Sequence, residues 1–357
     1  MASQLQFLRL PEPGKVYRVV QWATGRIGAC SLKALLQSRQ FQVVGVYVHS
    51  ESKEGRDAGE LCGLAPVGVR ATRNIGQLIA LKPDCVVSSM EGPNVDDVCC
   101  FLENGINIAT SRVDYLERDR MDPAVRHRVE DACRRGNATI HATGCSPGFS
   151  SEALPLVAVS MSRQVDCLTV DEFADIPASC PDFQTLAMGF GRPAGKSVDP
   201  HLLHELSHGF VQSLNVIAKG LGMVLDGIEV NGESAQTLER VVLPGGTPLE
   251  PGTVGAQRFV VAGMRGGRPV IRYRINWYAA RKIDQDWKLR ENGWRLTIEG
   301  TTPIEINVTF PVSGAALSPA MAGITAYRVI NAVPYVCAAE PGIRSTHELP
   351  NIVPYLG

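Results

Sequence analysis

The stretch that most constrains this chain runs from Tyr17 to Ser38. A short β-branched run, YRVVQWA (17–23), passes through small residues into a segment with helical spacing, IGACSLKALLQS (27–38). Ile27, Cys30, Leu32, Leu35 and Leu36 recur on one face of that helix. Between strand and helix, Ala23, Gly25 and Gly28 occupy the three small-residue positions of a G-x-G-x-x-G turn. The first permits a tight turn, the second lets a pyrophosphate approach the backbone, and the third lets helix pack on strand. Backbone N–H groups along Ala23, Thr24, Gly25, Arg26, Ile27 and Gly28 would then cradle phosphates at a helix mouth. Ala23 departs from the first glycine, and the expectation is that it keeps a negative φ.

The following residues continue the alternation. FQVVGVYVH (41–49), DCVVSSM (84–90), INIAT (106–110) and ATIHATG (138–144) read as strands. NIGQLIAL (74–81), NVDDVCCFLENG (94–105) and DPAVRHRVEDACRRG (122–136) read as helices, with Asn94 and Asp122 as N-caps, Pro123 in the first turn and Gly105 past a helix end. Strands alternating with helices at this pitch imply a doubly wound, Rossmann-type parallel sheet with helices on both faces, an α/β domain over residues 1–150. The character then changes. A helix (150–162), a strand (164–176), a Gly/Pro-rich loop (180–200) and a helix (200–222) precede a hairpin (256–279) around Gly266-Gly267 and two more strands (294–300, 304–310). These form a second, α+β domain over 151–318 with a mostly antiparallel sheet. A long apolar helix starting at 319 and a Pro/Gly turn begin a C-terminal segment, 319–357.

Charge and cysteine content remove several function classes. Lys+Arg and Asp+Glu number 35 and 36, which leaves no general basic face for nucleic acid. The ten cysteines sit mostly in apolar runs, with neither a CxxC pair nor zinc-type spacing, and read as reduced, buried thiols of a cytoplasmic protein. No stretch approaches the ~20 apolar residues of a membrane span, and the N-terminal residues do not follow the pattern of a signal peptide.

The end of the second strand selects the coenzyme. A carboxylate about 20 residues past the glycine turn, at that strand's tip, would bind the 2′-hydroxyl of NAD. Here the strand ends in Val48, His49 and Ser50, followed by Glu51, Lys53 and Arg56. His49, Ser50 and Lys53 suit a 2′-phosphate through charge-assisted bonds, so NADP (NADPH) is expected, with NAD as the alternative.

These segments resemble a known group. WATGRIG is similar to the turn of the dihydrodipicolinate reductase-like superfamily, nearest to its 2,4-diaminopentanoate dehydrogenase and native amine dehydrogenase branch. VYVHSESKEGRDAGELCG, ATGCSPGF (142–149) and VINAVPYVCAAEPGI (329–343) resemble further segments of that branch. The resemblance implies a Rossmann domain to which the C-terminal segment returns, a second domain that often builds a homodimer interface, and hydride transfer between NAD(P)H and a C=N bond. It also implies that Ser88, Ser89 and Met90, and then Thr110 and Ser111, line the nicotinamide ribose; ligands at those strand ends also follow from the sheet topology. Amine-forming members carry a catalytic Glu just after the fifth strand. Here the stretch reads ATSRVDYLE, with Arg112 and Val113 at the place of that Glu.

Reductive amination needs a carboxylate to position ammonia and move protons. Glu91, directly after VVSSM, and Asp114, just past the fifth strand, are the candidate catalytic groups. Glu172 and Asp175 are weighed against a carboxylate pair on a solvated strand. His204 and His208 complete a literal H-E-x-x-H pattern with Glu205, but a zincin needs a third ligand, so no metal is assigned. Trp22 is expected to pack against the helices beside the turn, and Trp277, Trp287 and Trp294 belong to the second sheet. The leading reading is an NADP-dependent enzyme that acts on a small ketone or amine with ammonia. A reductase of another carbonyl or a cyclic imine, and a non-catalytic NADP-binding sensor, are the alternatives.

Overall fold

The computed structural model describes residues 9–89, 94–193, 195 and 197–356. The chain divides into two compact units, residues 1–149 with 322–357, and 150–321.

Unit 1 begins with strands β1 (Tyr17–Trp22), β2 (Phe41–Tyr47), β3 (Ala71–Thr72), β4 (Cys85–Ser88), β5 (Asn107–Thr110) and β6 (Thr139–Ala142). Between them lie helices α1 (Arg26–Gln37), α2 (Ala58–Leu61), α3 (Ile75–Ala80), α4 (Val95–Glu103) and α5 (Pro123–Gly136). The capping residues read from the sequence act as such: Asn94 accepts from the Asp97 N–H, and Asp122 from those of Ala124 and Val125. Alternation along β1 sends Val20 and Trp22 to one core with Phe101 and Leu102 of α4 and Val129 of α5. Val19 goes to the other, with Leu32 and Leu35 of α1. A sheet covered on both faces is the usual home of parallel strands.

Unit 2 holds helices α6 (Leu154–Ala158), α7 (Ile176–Ser179), α8 (Asp182–Ala187) and α9 (Pro200–Gly220). Its strands are β7 (Val165–Asp175), β8 (Gly227–Gln236), β9 (Val241–Val242), β10 (Pro248–Leu249), β11 (Val254–Arg265), β12 (Arg268–Tyr278), β13 (Gly293–Gly300) and β14 (Ile304–Thr309). Six of them form a sheet in the order β14-β13-β7-β12-β11-β8, antiparallel except for β7 beside β12. Phe210, Leu214 and Ile217 of α9 pack on Leu168, Phe259, Ile271 and Leu296.

Helix α10 (Leu317–Ala338) carries the chain into unit 1, where Val329, Val333 and Val336 join the α1 core. Strand β15 (Gly342–Arg344) then pairs parallel with β6. The first sheet is thus β15-β6-β5-β4-β1-β2-β3. Its strand order reverses between β1 and β4, which puts the crevice for a ligand beyond their carboxyl ends.

Four local expectations are corrected. The 180–200 segment is not all loop, because Pro181 opens α8, whose Asp182 carboxylate receives the Gly245 and Thr247 N–H groups. The 150–162 helix is broken: an irregular turn over Cys145–Ala153 leads into α6 and then a 3-10 turn at Val159–Met161. The Pro/Gly turn after α10 delivers an edge strand. Strand β8 was not expected at all; its burial alternates between half-buried and exposed, and its sequence carries little apolar signal.

Candidate active site

The turn between β1 and α1 is held from every side. Ala23 sits at φ 72°, contrary to the expected negative value. An alanine there costs about 1–2 kcal/mol and persists only where its surroundings over-determine it. Here they do. The buried Gln21 amide Nε2 donates to the carbonyls of Ala23 at 3.0 Å and Trp22 at 3.2 Å. The Ala23 N–H donates to the Tyr47 carbonyl at 3.1 Å. Lys53 Nζ donates to the Thr24 carbonyl at 2.9 Å and to Thr24 Oγ1 at 3.2 Å. Sequence reasoning missed Gln21; the signal was a polar residue in the apolar half of the strand, two positions before the turn.

The two glycines divide the work. A Cβ on Gly28 would lie 2.2 Å from the Ala23 carbonyl oxygen, so this residue closes the helix on the turn. A Cβ on Gly25 would meet nothing within 4 Å, so its face is open to an approaching group. Gly25 is also the α1 N-cap. No side chain caps the helix, and no acidic residue stands in its first turn. The first N–H groups of Arg26, Ile27 and Gly28 therefore lack the usual side-chain acceptor and favour an anion. These residues fit a dinucleotide pyrophosphate.

The strand tips beyond the turn are laced together. The Ser89 N–H donates to the Trp22 carbonyl at 3.2 Å, Ser111 to Ser88 at 3.1 Å, and Thr143 to Thr110 at 2.8 Å. Ser88 and Thr110 are buried. Ser89 Oγ and Arg112 Nε are buried without a hydrogen-bond partner among the described residues. Orphaned donors at this edge are what a site for a polar ligand leaves behind. Met90 and Glu91 lie outside the described residues. Trp22 is fully buried, with its ring 5.2 Å from Phe101 of α4 and 5.5 Å from Tyr47.

Asp114 stands in a 3-10 turn, Val113–Tyr115, and is not a free carboxylate: it is ion-paired with Arg112. Burial pushes the neighbouring Tyr115 phenol up to about 12, which keeps it protonated near neutral pH. Past β2, His49 is exposed and packs edge-on to Tyr47 at 5.0 Å, and Ser50 Oγ pairs with Ser52 Oγ at 2.7 Å.

In unit 2 the solvated-pair expectation for Glu172 and Asp175 fails. Glu172 is buried and accepts the indole N–H groups of Trp277 at 2.8 Å and Trp294 at 3.2 Å. Asp175 caps α7 by accepting from the Ala178 N–H. Trp277 and Trp294 are strand residues, whereas Trp287 lies outside the strands. His208 Nε2 meets the Gln212 amide at 2.7 Å, and among the described residues no group of three His, Cys, Asp or Glu is assembled for a metal. None of the ten cysteines forms a disulfide, but only Cys85, Cys99, Cys133 and Cys167 are buried, which corrects the expectation of buried thiols. Among the described residues no helix is long and apolar enough to cross a membrane.

Comparison with known proteins agrees with this geometry. Residues 19–89 match the dihydrodipicolinate reductase N-terminus, and residues 204–356 the 2,4-diaminopentanoate dehydrogenase C-terminal domain. An amine dehydrogenase from Streptomyces virginiae is 26% identical over 345 residues, 93% of this chain and 95% of that protein. A 4-hydroxy-tetrahydrodipicolinate reductase from Synechocystis is 35% identical over 63 residues, 18% of this chain and 23% of that protein. In fold, the chain is similar to the amine dehydrogenase of Mycobacterium smegmatis, with TM-score 0.74 and 18% identity over 96% of this chain and 98% of that one. The chain is an NAD(P)-dependent oxidoreductase that resembles the dihydrodipicolinate reductase-like superfamily, in its 2,4-diaminopentanoate dehydrogenase and amine dehydrogenase branch.

Proposed function

We propose that the protein is an NADP-dependent oxidoreductase of CH–NH2 and C=N groups, one that reduces the imine formed from a small ketone or aldehyde and ammonia. The observation that carries this reading is the open Gly25 face at an uncapped helix mouth, beside a strand tip without a committed carboxylate. The likeness to the Streptomyces virginiae amine dehydrogenase, which spans nearly the whole chain, supports the reaction class.

The bound nicotinamide supplies or accepts the hydride. The turn from Ala23 to Gly28 holds the pyrophosphate through its backbone amides. Lys53 spends two of its three N–H donors on Thr24 and keeps one for a 2′-phosphate, with His49 and Ser50 alongside. Ser88, Ser89, Met90, Thr110 and Ser111 line the nicotinamide ribose. Asp114, with Arg112 as its counter-ion, and Glu91 are the groups that position ammonia and shuttle protons. The protein works as a cytoplasmic homodimer.

A second reading has one observation in its favour. Arg112 occupies the place where amine-forming relatives are expected to carry Glu, and it ties up Asp114. On that reading the substrate is another carbonyl or a cyclic imine.

Coenzyme binding followed by fluorescence, then turnover on a panel of ketones with and without ammonium, tests both. The expected result is NADPH binding tighter than NADH and turnover that needs ammonium and falls in Asp114→Asn. Replacing His49, Ser50 and Lys53 with an NAD-type strand end is expected to weaken NADPH by about tenfold, for one lost charge-assisted contact, and to spare NADH. Equal loss of both coenzymes contradicts the NADP assignment. Turnover without ammonium moves the substrate to the second reading, and binding without any turnover leaves a sensor.

A further inference from the structure

The six-stranded sheet of unit 2 has two unlike faces. Leu168 and Val170 of β7 lie in the core beneath α9, so strand alternation sends Asp171 to the opposite face. Asp171 is 1% exposed there and pairs with two guanidiniums, Arg274 of β12 and Arg295 of β13, the latter through Nε at 3.0 Å and Nη2 at 2.8 Å. That triad accounts for the carboxylate. It leaves a surplus of cations around it.

Arg258 of β11 is held entirely by neutral groups. Its Nε donates to Asn276 Oδ1 at 2.7 Å, its Nη2 to the Trp287 carbonyl at 3.0 Å, and it lies 4.5 Å over the Trp287 ring. Arg290 is held the same way, with Nη1 on Asn307 Oδ1 at 2.9 Å and the guanidinium 5.8 Å over the Phe173 ring. Both line one cavity of about 320 Å³, together with the Asp171 triad and Lys288. Carboxylates outside the lining include Glu233, across the β8–β11 ladder from Arg258, Asp286, which pairs with Lys288 at 2.7 Å, and Glu305, which accepts from the Asn307 amide at 2.8 Å. The cavity lining therefore holds five cations against one carboxylate. Burial and the charge of Arg274 both act to lower the Arg258 pKa, as expected of a cation set among cations.

We propose that this cavity is an anion site, taking a compact oxyanion of two or more charges: a phosphate or pyrophosphate group, free or at the end of a metabolite. Guanidinium forks match oxyanion geometry, and forks already fixed by Asn276, Trp287 and Asn307 lose little freedom on binding. The volume lies at the small end of the range for ligand pockets, about 300–1,000 Å³, and suits a group of this size. The site consists of unit 2 residues alone, and the pyrophosphate cradle of unit 1 residues alone.

Calorimetry on the full-length protein at constant ionic strength tests this, with inorganic pyrophosphate and ADP as probes and NADPH at saturation. The expected result is saturable binding that falls about tenfold in Arg290→Gln and further in Arg290→Gln/Arg258→Gln. NADPH affinity is expected to be unchanged in both, which shows that they fold. Arg290→Gln alone keeps the test valid if the double variant does not fold. Tighter binding of ADP than pyrophosphate assigns the anion to a metabolite; equal binding assigns it to the free ion. No binding by the unmodified protein overturns the proposal, as does full affinity in Arg290→Gln. A drop in sedimenting mass in Arg290→Gln with pyrophosphate affinity intact also overturns it, and gives the face to a second copy of the chain.

Discussion

The two sheets treat polar groups in opposite ways. The sheet of unit 1 packs an apolar core on each face and presents its site at one edge, where no side chain caps α1 and where Ser89 Oγ and Arg112 Nε are buried without hydrogen-bond partners among the described residues. The sheet of unit 2 is apolar on the face under α9 and carries a charged lattice on the other. An edge of exposed amides can be encoded by six consecutive residues. A charged face needs residues far apart in sequence to arrive in register, as Asp171, Arg274 and Arg295 do. Stability in unit 2 therefore depends on pairing across strands, and function in unit 1 on a short turn.

This contrast can be broken. The largest expected effect is in unit 2: Asp171→Asn leaves Arg274 and Arg295 without their carboxylate and is expected to cost about 3–5 kcal/mol, read by chemical denaturation. Burial opposes ionisation of Asp171, but the two guanidiniums outweigh it and hold its carboxyl below the ordinary value. Its contribution is thus present above the unfolded carboxyl pKa and lost as pH falls through the lower folded value. A loss under 1 kcal/mol would remove the lattice as a source of stability.

Next comes a buried histidine in unit 1. His141 of β6 has Nδ1 at 2.7 Å from the Arg344 carbonyl and no partner for Nε2 among the described residues, and burial above all lowers its pKa to about 4. The unfolded chain, with an ordinary value near 6.5, binds the proton first. Stability is therefore expected to fall as pH drops from about 6.5 to 4, by up to about 3 kcal/mol. His141→Gln should flatten that slope; an unchanged slope would locate the titration elsewhere.

The smallest effect is at the turn. Ala23→Gly removes the positive-φ penalty and is expected to stabilise by about 1 kcal/mol, after the entropy cost of glycine, with coenzyme binding retained. Destabilisation would mean that the packing of Ala23 in the core with Val20 and Trp22 outweighs its φ penalty.

The sequence made the first unit readable because its signals are local. The glycine spacing, the Asn94 and Asp122 caps and the alternating strands all work within one or two turns of chain. Ala23 was misjudged because its φ is set by Gln21, Tyr47 and the neighbouring Lys53–Thr24 contacts, which only the fold brings together. Strand β8 escaped notice because it is an edge strand with no fully apolar face. Glu172 was read as solvated because nothing local tells of two indoles converging on it from β12 and β13. Asp114 was legible as a position, while its partner Arg112 was noted only as a missing Glu.

The central claim is that the turn from Ala23 to Gly28 holds a coenzyme pyrophosphate, and two glycine variants test it most directly. In Gly25→Ala the added methyl meets no protein atom, so stability is expected to stay within about 0.5 kcal/mol while NADPH affinity falls about tenfold or more. In Gly28→Ala the methyl meets the Ala23 carbonyl, and both stability and affinity are expected to fall. NADPH affinity unchanged in a stably folded Gly25→Ala protein would contradict the account.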